Sequence, residues 1–491
     1  MNLVFLSIFL TSSSCGQKIP APIENNNFER VSTHGELMDY LQRLSDANTF
    51  LELEIIGKSV EGRDIPMIYK PGVEGSESVK ALIFCQQHGN EPSGKEAALL
   101  VIKKISEDPD LYSNVDLYII PSVNPDGNES EKRRNANGED LNRNHLLLTE
   151  PEVQAVHNVY HKINPEVTLD VHEYSAFRKS FRQAGFVRST AEELGAPTNL
   201  NIPDQIITYA VDSLMAFVEN DLISKNVSFS NYHKIGDPLD TVRSSTTGII
   251  DGRQSMAIEN TLSFILEGRN GESFNSDLER RTLDQLSAME SFLSFVNSRG
   301  SNIKKIIKAQ KEVTASSLDS VIIQMDYDFT GETINIPMQV LTSLRDTLVE
   351  MKYSSTVKSL KKVPVPEAYL VSGEIELIVE WLDRNKIQYQ QVNESSSFLI
   401  ERYSIENVKN RWIENKSFRI PSIAKSKKIY KTKLNDIIIP INQIAGVKII
   451  SAFEPQSMWG LFQSDLFQNV FEGQTEFPIY RIISEYKNEK L

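Results

Sequence analysis

Histidine and glutamate side chains of the kind that bind metal ions lie in three separate parts of this 491-residue sequence. His88 and Glu91 are three residues apart in the stretch FCQQHGNEP, His172 stands in VTLDVHEY, and Glu267 follows the apolar run LSFIL. Two imidazoles and one carboxylate form a three-ligand set that leaves a fourth position open for water, as in catalytic zinc sites. Since a histidine taken singly more often forms only a hydrogen bond, the metal site depends on a fold that brings these residues together.

A short apolar run precedes each of these polar segments, and such runs predict β-strands. The runs cover residues 81–85, 117–120, 167–171 and 262–266. Between the first two, apolar residues recur at the spacing of an amphipathic helix. The alternation of strands and helices predicts an α/β fold with a mixed, mostly parallel twisted sheet and helices on both faces. In such sheets ligands bind beyond the carboxyl ends of the strands, so we expect the polar segments to meet in one crevice.

The sequence also changes character along its length, which predicts more than one domain. Residues 28–313 contain the alternating pattern and are predicted to form the catalytic domain. Beyond residue 316 short β-type runs dominate, interrupted by one helical pattern over 373–385. We predict a smaller, β-rich C-terminal domain over 316–491 with an accessory role. Residues 19–27, IPAPIENNN, read as a tether that precedes the catalytic domain.

The net charge of −14 is unevenly distributed, because the first 315 residues carry −13 of it. Nucleic-acid backbones are bound by clustered lysines and arginines, so this acidic half argues against a nucleic-acid partner. The sequence has two cysteines, Cys15 and Cys85. Cys85 lies inside a predicted strand and is expected in the core.

The first 15 residues predict a signal peptide. The apolar stretch from Leu3 to Leu10 is too short to span a bilayer, and small residues lead from it to Cys15. This order resembles a bacterial lipoprotein cleavage site, in which Cys15 would be lipidated and become the new N-terminus. The protein would then be extracytoplasmic and contact the membrane only through that anchor. A secreted or uncleaved start is the alternative, because no Lys or Arg precedes the apolar stretch and Ser12 stands where the motif usually has Leu.

Taken together, the motifs resemble those of the zinc metallocarboxypeptidases, the carboxypeptidase A-like family. The resemblance covers about Gly57 to Gly268 and keeps the family's order. The matching stretches are GKSVEGR at 57–63, HGNE at 88–91, NPDG at 124–127, NANGEDLNRN at 135–144 after two arginines, DVHEY at 170–174 and SFILE at 263–267. The HxxE motif alone occurs in many unrelated proteins, but the ordered set of motifs is a much more specific sign of the family.

The resemblance implies one Zn²⁺ ion held by His88, Glu91 and His172. It implies that Glu267 transfers the proton of the attacking water and that Arg134 stabilises the developing oxyanion.

Three further residues receive roles from the same resemblance. Asn142 and Arg143 would bind the terminal carboxylate of the substrate, and Asp140 would orient a zinc-binding imidazole.

The sequence departs from the family pattern at three positions. Asn90 stands where an arginine is usual, and Glu173 adds negative charge where a serine is common. The usual late tyrosine is absent from the segment before the catalytic glutamate, where Arg253 is the candidate substitute. Nearby, Asp251 would favour a basic C-terminal residue of the substrate. These departures concern the choice of substrate more than hydrolysis.

The leading hypothesis is a zinc-dependent enzyme that releases C-terminal amino acids from extracytoplasmic peptides. The first alternative is an amidase or endopeptidase that cleaves muropeptides of the cell wall. The second is a non-catalytic peptide-binding protein, which the complete set of ligands and catalytic glutamate argues against. No GxSxG, HExxH or GxxxxGK[ST] motif offers another route to hydrolysis.

Overall fold

The computed structural model describes residues 19–73, 77–236, 241–373, 376–471 and 476–485. The predicted signal peptide and Cys15 lie outside these residues. Within the described ranges, none of the helices combines the length and the apolar character needed to cross a bilayer.

Strands in the first two thirds of the chain alternate with helices, as the sequence pattern predicts. The strands are β1 Glu52–Lys58, β2 Asp64–Lys70, β3 Val79–Cys85, β4 Val115–Ile120, β5 Val167–Tyr174, β6 Phe186–Arg188, β7 Glu192–Gly195, β8 Phe229–Asn231, β9 Lys234–Ile235, β10 Thr241–Arg243 and β11 Leu262–Arg269. The α-helices are α1 Pro22–Asn25, α2 His34–Ala47, α3 Ser93–Glu107, α4 Pro125–Ser130, α5 Pro151–Ile163, α6 Lys179–Gln183, α7 Asp204–Tyr209, α8 Ala216–Ser224, α9 Gly252–Ala257 and α10 Leu278–Ser317.

A central sheet organises this region. Within the described residues it has eight strands in the order β1-β2-β4-β3-β5-β11-β7-β8. The four middle strands, β4, β3, β5 and β11, are parallel neighbours. Antiparallel pairs occur toward the edges, where β2 joins β1 and β4 and where β7 joins β11. The prediction of a mixed, mostly parallel sheet is therefore confirmed.

Helices cover both faces of the sheet, and β3 shows why. Ala81, Ile83 and Cys85 belong to one hydrophobic cluster with α3 and α10, whereas Leu82 and Phe84 belong to another with α5. Alternate residues of a strand point to opposite faces, so both faces need an apolar cover. The nearly continuous apolar character of this strand follows from that burial. Cys85 is fully buried, as expected for a core residue.

The C-terminal part is rich in long strands. They are β12 Ser320–Asp328, β13 Glu332–Val340, β14 Asp346–Ser354, β15 Thr356–Pro364, β16 Ala368–Val371, β17 Gln390–Gln391, β18 Ser397–Ile413, β19 Lys416–Lys431, β20 Ile437–Pro440 and β21 Ile479–Glu485. The helices are α11 Glu376–Arg384, α12 Gly446–Phe453 and α13 Gln468–Phe471. The additional β-rich region is thus confirmed, and its predicted helix over 373–385 is α11.

The two parts of the chain share a sheet and a core. A five-stranded sheet of order β6-β13-β14-β10-β9 combines short strands of the first part with the hairpin β13–β14 of the second. One hydrophobic cluster joins Ile249 and Ile258 to residues of the C-terminal strands and helices. The fully buried Trp381 donates its indole N–H to the carbonyl oxygen of Leu146 at 2.8 Å. The boundary predicted near residue 315 lies at the end of α10, and the division into domains stays a prediction.

The expectation of a tether over residues 19–27 is wrong. Residues 22–25 form helix α1, and the side chains of Ala21 and Ile23 are fully buried in the main core. Lys103 of α3 also pairs with Glu24 at 2.7 Å. Burial of apolar side chains and this ion pair hold the segment on the folded domain.

Truncation after residue 315 tests how far the first part depends on the second. We expect the truncated protein to be insoluble or unfolded, because β6 loses its partner β13, β10 loses its partner β14, and a shared apolar cluster becomes exposed. Soluble expression and the thermal unfolding transition, compared with those of the full chain, provide the measurement. A soluble, cooperatively unfolding fragment would contradict this expectation.

Glu192 on β7 is a buried acid without a partner. Its side chain is 1% exposed, and neither carboxyl oxygen has a hydrogen-bond partner within the described structure. Burial raises the pKa of Glu192 well above its usual range, and the nearby Asp284 and Glu173 add to this effect. The carboxyl is therefore protonated in the folded chain at pH values where it ionises in the unfolded chain.

A Glu192→Gln variant tests this difference in pKa. Above the unfolded pKa of about 4.5 the unfolded wild type loses a proton that the folded chain retains, so wild-type stability falls as the pH rises. The variant lacks this contribution, whose slope is at most about 1.4 kcal/mol per pH unit. We expect the variant to be more stable than the wild type at pH 7, with the difference shrinking toward pH 4, in thermal unfolding. An advantage independent of pH would contradict the assignment.

Candidate active site

The predicted ligands lie at one edge of the central sheet. His88 and Glu91 belong to the turn that follows β3, and His172 lies near the end of β5. The parallel register of β5 and β11 places Glu267 directly beside His172. Because neighbouring parallel strands end at the same edge, segments distant in sequence meet there.

Three side-chain donors form a compact triangle at this edge. The Oε2 atom of Glu91 lies 2.9 Å from Nδ1 of His88 and 3.0 Å from Nδ1 of His172. The two Nδ1 atoms are 3.0 Å apart. All three residues are buried. Donors about 2.0–2.1 Å from a zinc ion have mutual separations close to these, so the triangle can hold one zinc ion.

Two carboxylates face the remaining nitrogens of the imidazoles. Asp140 Oδ1 lies 3.0 Å from Nε2 of His88, and Asp170 Oδ1 lies 2.7 Å from Nε2 of His172. A proton held on each Nε2 leaves both Nδ1 lone pairs directed at the triangle. The chemistry of the donor set therefore fits a metal ion, and Asp140 lies where its predicted role requires.

Asp170 was missed in the sequence, although a signal was present. It precedes His172 by two residues on β5, and side chains at that spacing share one face of a strand. Its Oδ1 also accepts a hydrogen bond from the Gln87 amide at 2.8 Å, which connects β5 to the turn after β3.

The turn that holds His88 and Glu91 packs directly on the NPDG segment. A Cβ atom added to Gly89 would lie 2.0 Å from the carbonyl carbon of Gly127, so only glycine fits there. Asn124 caps the short helix α4 by accepting from the Gly127 N–H at 2.8 Å. The NPDG segment thus supports the turn that holds His88 and Glu91, and it does not itself supply a metal ligand.

Arg134 does not lie in the site. Its Nη1 donates to the Gly138 carbonyl at 2.7 Å on the exposed side of the loop. The neighbouring Arg133 lines the cavity instead, and its guanidinium bonds to Glu91 at 3.0 Å and to Asp140 at 3.2 Å. The sequence-based choice between two adjacent arginines was wrong, because the loop backbone directs only the first toward the metal triangle.

Asn142 and Arg143 lie together in a short 3₁₀ turn and both line the cavity. The buried Asn142 accepts the Gly252 N–H at 2.9 Å through its amide oxygen, which fixes its orientation. Arg143 donates to the carbonyl oxygen of Asn142, and within the described residues its guanidinium has no acidic partner. It is therefore a cation available to an anionic ligand.

Glu267 is half-buried in the cavity wall. Burial raises its pKa to about 8, while the charges of His172 and Arg133 act in the opposite direction. A carboxyl group with a raised pKa, close to the metal triangle, is suited to accept and return a proton.

Arg253 lines the cavity, but its side chain is too buried to replace the hydroxyl group of the absent tyrosine. It is 1% exposed, and its Nη atoms donate to Ser245 Oγ at 2.5 Å and to the Ala196 carbonyl at 3.2 Å. The tyrosine in this part of the cavity is Tyr232, whose ring lies 5.6 Å from the Arg253 guanidinium carbon. Sequence reasoning missed Tyr232, because it lies in an irregular connection with no recognisable motif.

The charge of Glu173 is already compensated. Arg281 of α10 donates two hydrogen bonds to its carboxylate, at 2.8 and 2.9 Å, and both side chains are buried. Such a bidentate pair removes the negative charge that the sequence predicted for the cleft.

The site opens into a cavity of about 370 Å³. Its wall contains most of the predicted residues together with several that were not predicted. Predicted residues in the wall are His88, Glu91, Asn142, Arg143, Arg253 and Glu267, and unpredicted ones include Arg133, Tyr232 and Lys234.

Comparisons with known proteins relate the chain to zinc carboxypeptidases. Residues 37–180 match the family model described as zinc carboxypeptidase, a range that includes His88, Glu91 and His172 but ends before Glu267. Over 479 residues, 92% of this chain and 86% of the relative, the sequence is 23% identical to carboxypeptidase 2 of Trichophyton rubrum. It is 33% identical over 176 residues to carboxypeptidase D of Drosophila melanogaster, covering 28% of this chain and 12% of that protein.

Solved structures with similarity to the chain include a metallo-carboxypeptidase from Burkholderia cenocepacia. The sequences are 18% identical, the TM-score is 0.41, and the match covers 54% of this chain and 68% of that chain.

Adjacent arginines give a matched pair of variants. We expect Arg133→Ala to lower kcat about 10²–10³-fold, the cost of removing one donor to a developing oxyanion. We expect Arg134→Ala to change it by less than about threefold, as for an exposed side chain. Steady-state kinetics on one peptide, with zinc content measured for both variants, separates lost catalysis from lost metal. Equal effects of the two substitutions would contradict the placement of these arginines.

Proposed function

This chain belongs to the zinc carboxypeptidase family, and from that premise we propose that it removes single amino acids from the C-terminus of peptides outside the cytoplasm. It is a metallocarboxypeptidase, a hydrolase of peptide bonds whose cofactor is zinc. One observation carries the proposal: a single cavity is lined by the metal ligands His88 and Glu91, by the carboxyl of Glu267 and by the guanidinium of Arg143, which has no acidic partner among the described residues.

His88, Glu91 and His172 would hold the zinc ion. When bound, zinc supplies a Lewis acid that polarises a carbonyl group and makes water more acidic. The rest of the reaction depends on side chains around it.

Glu267 acts as the proton carrier. Its carboxylate accepts a proton from the attacking water and returns it to the nitrogen of the departing amine, so it is regenerated in each turnover. Arg133 donates to the substrate oxygen as negative charge develops there, and its own bonds to Glu91 and Asp140 hold it in place.

Arg143 and Asn142 make the cleavage specific for a chain end. A guanidinium without an acidic partner binds the free α-carboxylate of a substrate, and the amide of Asn142 can donate a second hydrogen bond. A peptide bond in the middle of a chain offers no such carboxylate, which favours release of the terminal residue.

The location outside the cytoplasm rests on the N-terminal sequence. The apolar stretch from Leu3 to Leu10 and the small residues before Cys15 support a signal peptide and a lipid anchor at Cys15. We propose that its substrate is a peptide, that it has no nucleic-acid partner, and that it contacts the membrane only through the lipid anchor.

A Glu267→Gln variant tests the reaction. We expect the zinc-loaded full chain to shorten mixed peptides by single C-terminal residues, detected by mass spectrometry. The variant should lose about 10²–10⁴-fold in kcat, because it cannot carry the proton. It should still bind one zinc ion per chain, since the metal ligands are intact. Cleavage inside the peptides, or unchanged activity of the variant, would contradict the proposal.

A further inference from the structure

The cavity that contains the metal ligands His88 and Glu91 also contains Lys234, whose charge has no role in the proposed reaction. Lys234 of β9 lines the cavity and is half-buried. Within the described part of the chain its ammonium group has no hydrogen-bond acceptor and no acidic partner. A partly buried lysine normally forms an ion pair or extends its ammonium group into solvent. The charge of Lys234 is instead directed at space that a ligand can fill.

The groups around Lys234 are mainly positive. Burial, together with the charges of Arg143, Lys416 and Arg243, lowers the pKa of Lys234 to about 7, while Glu414 acts in the opposite direction. Burial and Arg143 likewise lower the pKa of Lys416. Like charges at this density repel, so a bound anion would be stabilised here.

Two acids near Lys234, Asp251 and Glu414, accept hydrogen bonds from other groups. Asp251 caps α9 by accepting the Gln254 N–H at 2.8 Å, and it accepts from Thr246 Oγ1 at 3.3 Å. Glu414 accepts the Thr247 N–H at 2.9 Å. The expectation that Asp251 would favour a basic C-terminal residue therefore has no support in its contacts.

The position of Lys234 also fits a substrate end. Arg143, the cation that would bind the α-carboxylate, lines the same cavity as Lys234 and lowers the pKa of Lys234 more than any other charged group. A C-terminal residue whose side chain ends in a carboxylate has two negative groups a few carbon atoms apart. One can pair with Arg143 and the other with Lys234.

We propose that the cavity selects substrates whose C-terminal residue is glutamate or aspartate, with Lys234 binding the side-chain carboxylate. This inference rests on the proposed function, because it takes the α-carboxylate to be bound at Arg143. The turn of the β18–β19 hairpin lies close to this end of the cavity, since its Glu414 accepts the Thr247 N–H next to the lining residue Thr246.

Four peptides that differ only in their last residue test the selection. With the zinc-loaded full chain, we expect kcat/KM for a peptide ending in Glu to exceed that for its neutral isostere ending in Gln by about 10–100-fold, the value of a charge-assisted hydrogen bond. Peptides ending in Leu and Lys complete the set, and Lys is expected to be the poorest substrate.

Substitutions of Lys234 assign the effect to this residue. We expect Lys234→Met to reduce the Glu-to-Gln ratio toward 1, Lys234→Arg to retain most of it, and Lys234→Glu to reverse the preference toward Lys. The control is Lys225→Met, which changes an exposed lysine at the end of α8. This variant should have the same Glu-to-Gln ratio as the wild type.

Binding to the inactive Glu267→Gln protein gives a measurement that does not need turnover. By calorimetry the peptide ending in Glu should bind about 10–100-fold more tightly than the one ending in Gln. Equal binding of the two, or a wild type that prefers Leu or Lys, would overturn the inference and leave the carboxypeptidase activity standing. A wild type that cleaves none of the peptides would overturn the proposed function, and calorimetry would still decide the selectivity.

Discussion

The site depends on the parallel register of three strands, β3, β5 and β11. A shift of one residue would turn the side chains of a strand to the opposite face, and His172 or Glu267 would leave the cavity. The register is held by backbone hydrogen bonds and by apolar side chains on both faces of the sheet. The three donors lie about 3 Å apart because this framework holds both the turn after β3 and the end of β5 in place.

Buried charges around the centre are arranged as specific pairs. Arg281 neutralises Glu173 next to a ligand, and Asp140 and Asp170 each bind one ligand imidazole. Buried ion pairs contribute little net stability because both partners lose their hydration. Their value here is geometric, since each pair fixes the orientation of a group that must face the metal or the substrate. Lys234 differs from these groups because its charge has no such partner among the described residues.

The C-terminal region is continuous with the catalytic region in both packing and chemistry. It completes the sheet that contains β9 and β10, and the turn of its longest hairpin reaches the segment around Thr247. Residues that define the far end of the cavity are therefore held by strands more than 100 residues later in the chain. The C-terminal region can position these residues without a recognisable motif. Positioning depends on packing and hydrogen bonds and does not require particular reactive side chains.

Hydrophobic periodicity and the spacing of HGNE and DVHEY depend on local order, so they were enough to predict the strands, the α/β class and the candidate metal ligands. The sequence also located Glu267, Asn142 and Arg143 through one ordered resemblance. Packing of the whole chain places Arg133 rather than Arg134 at the site, pairs Glu173 with Arg281, and brings Tyr232 and Lys234 into the cavity. These outcomes depend on the direction of a loop side chain and on contacts between distant segments. Neither is encoded in a local pattern, because both arise when the whole chain packs.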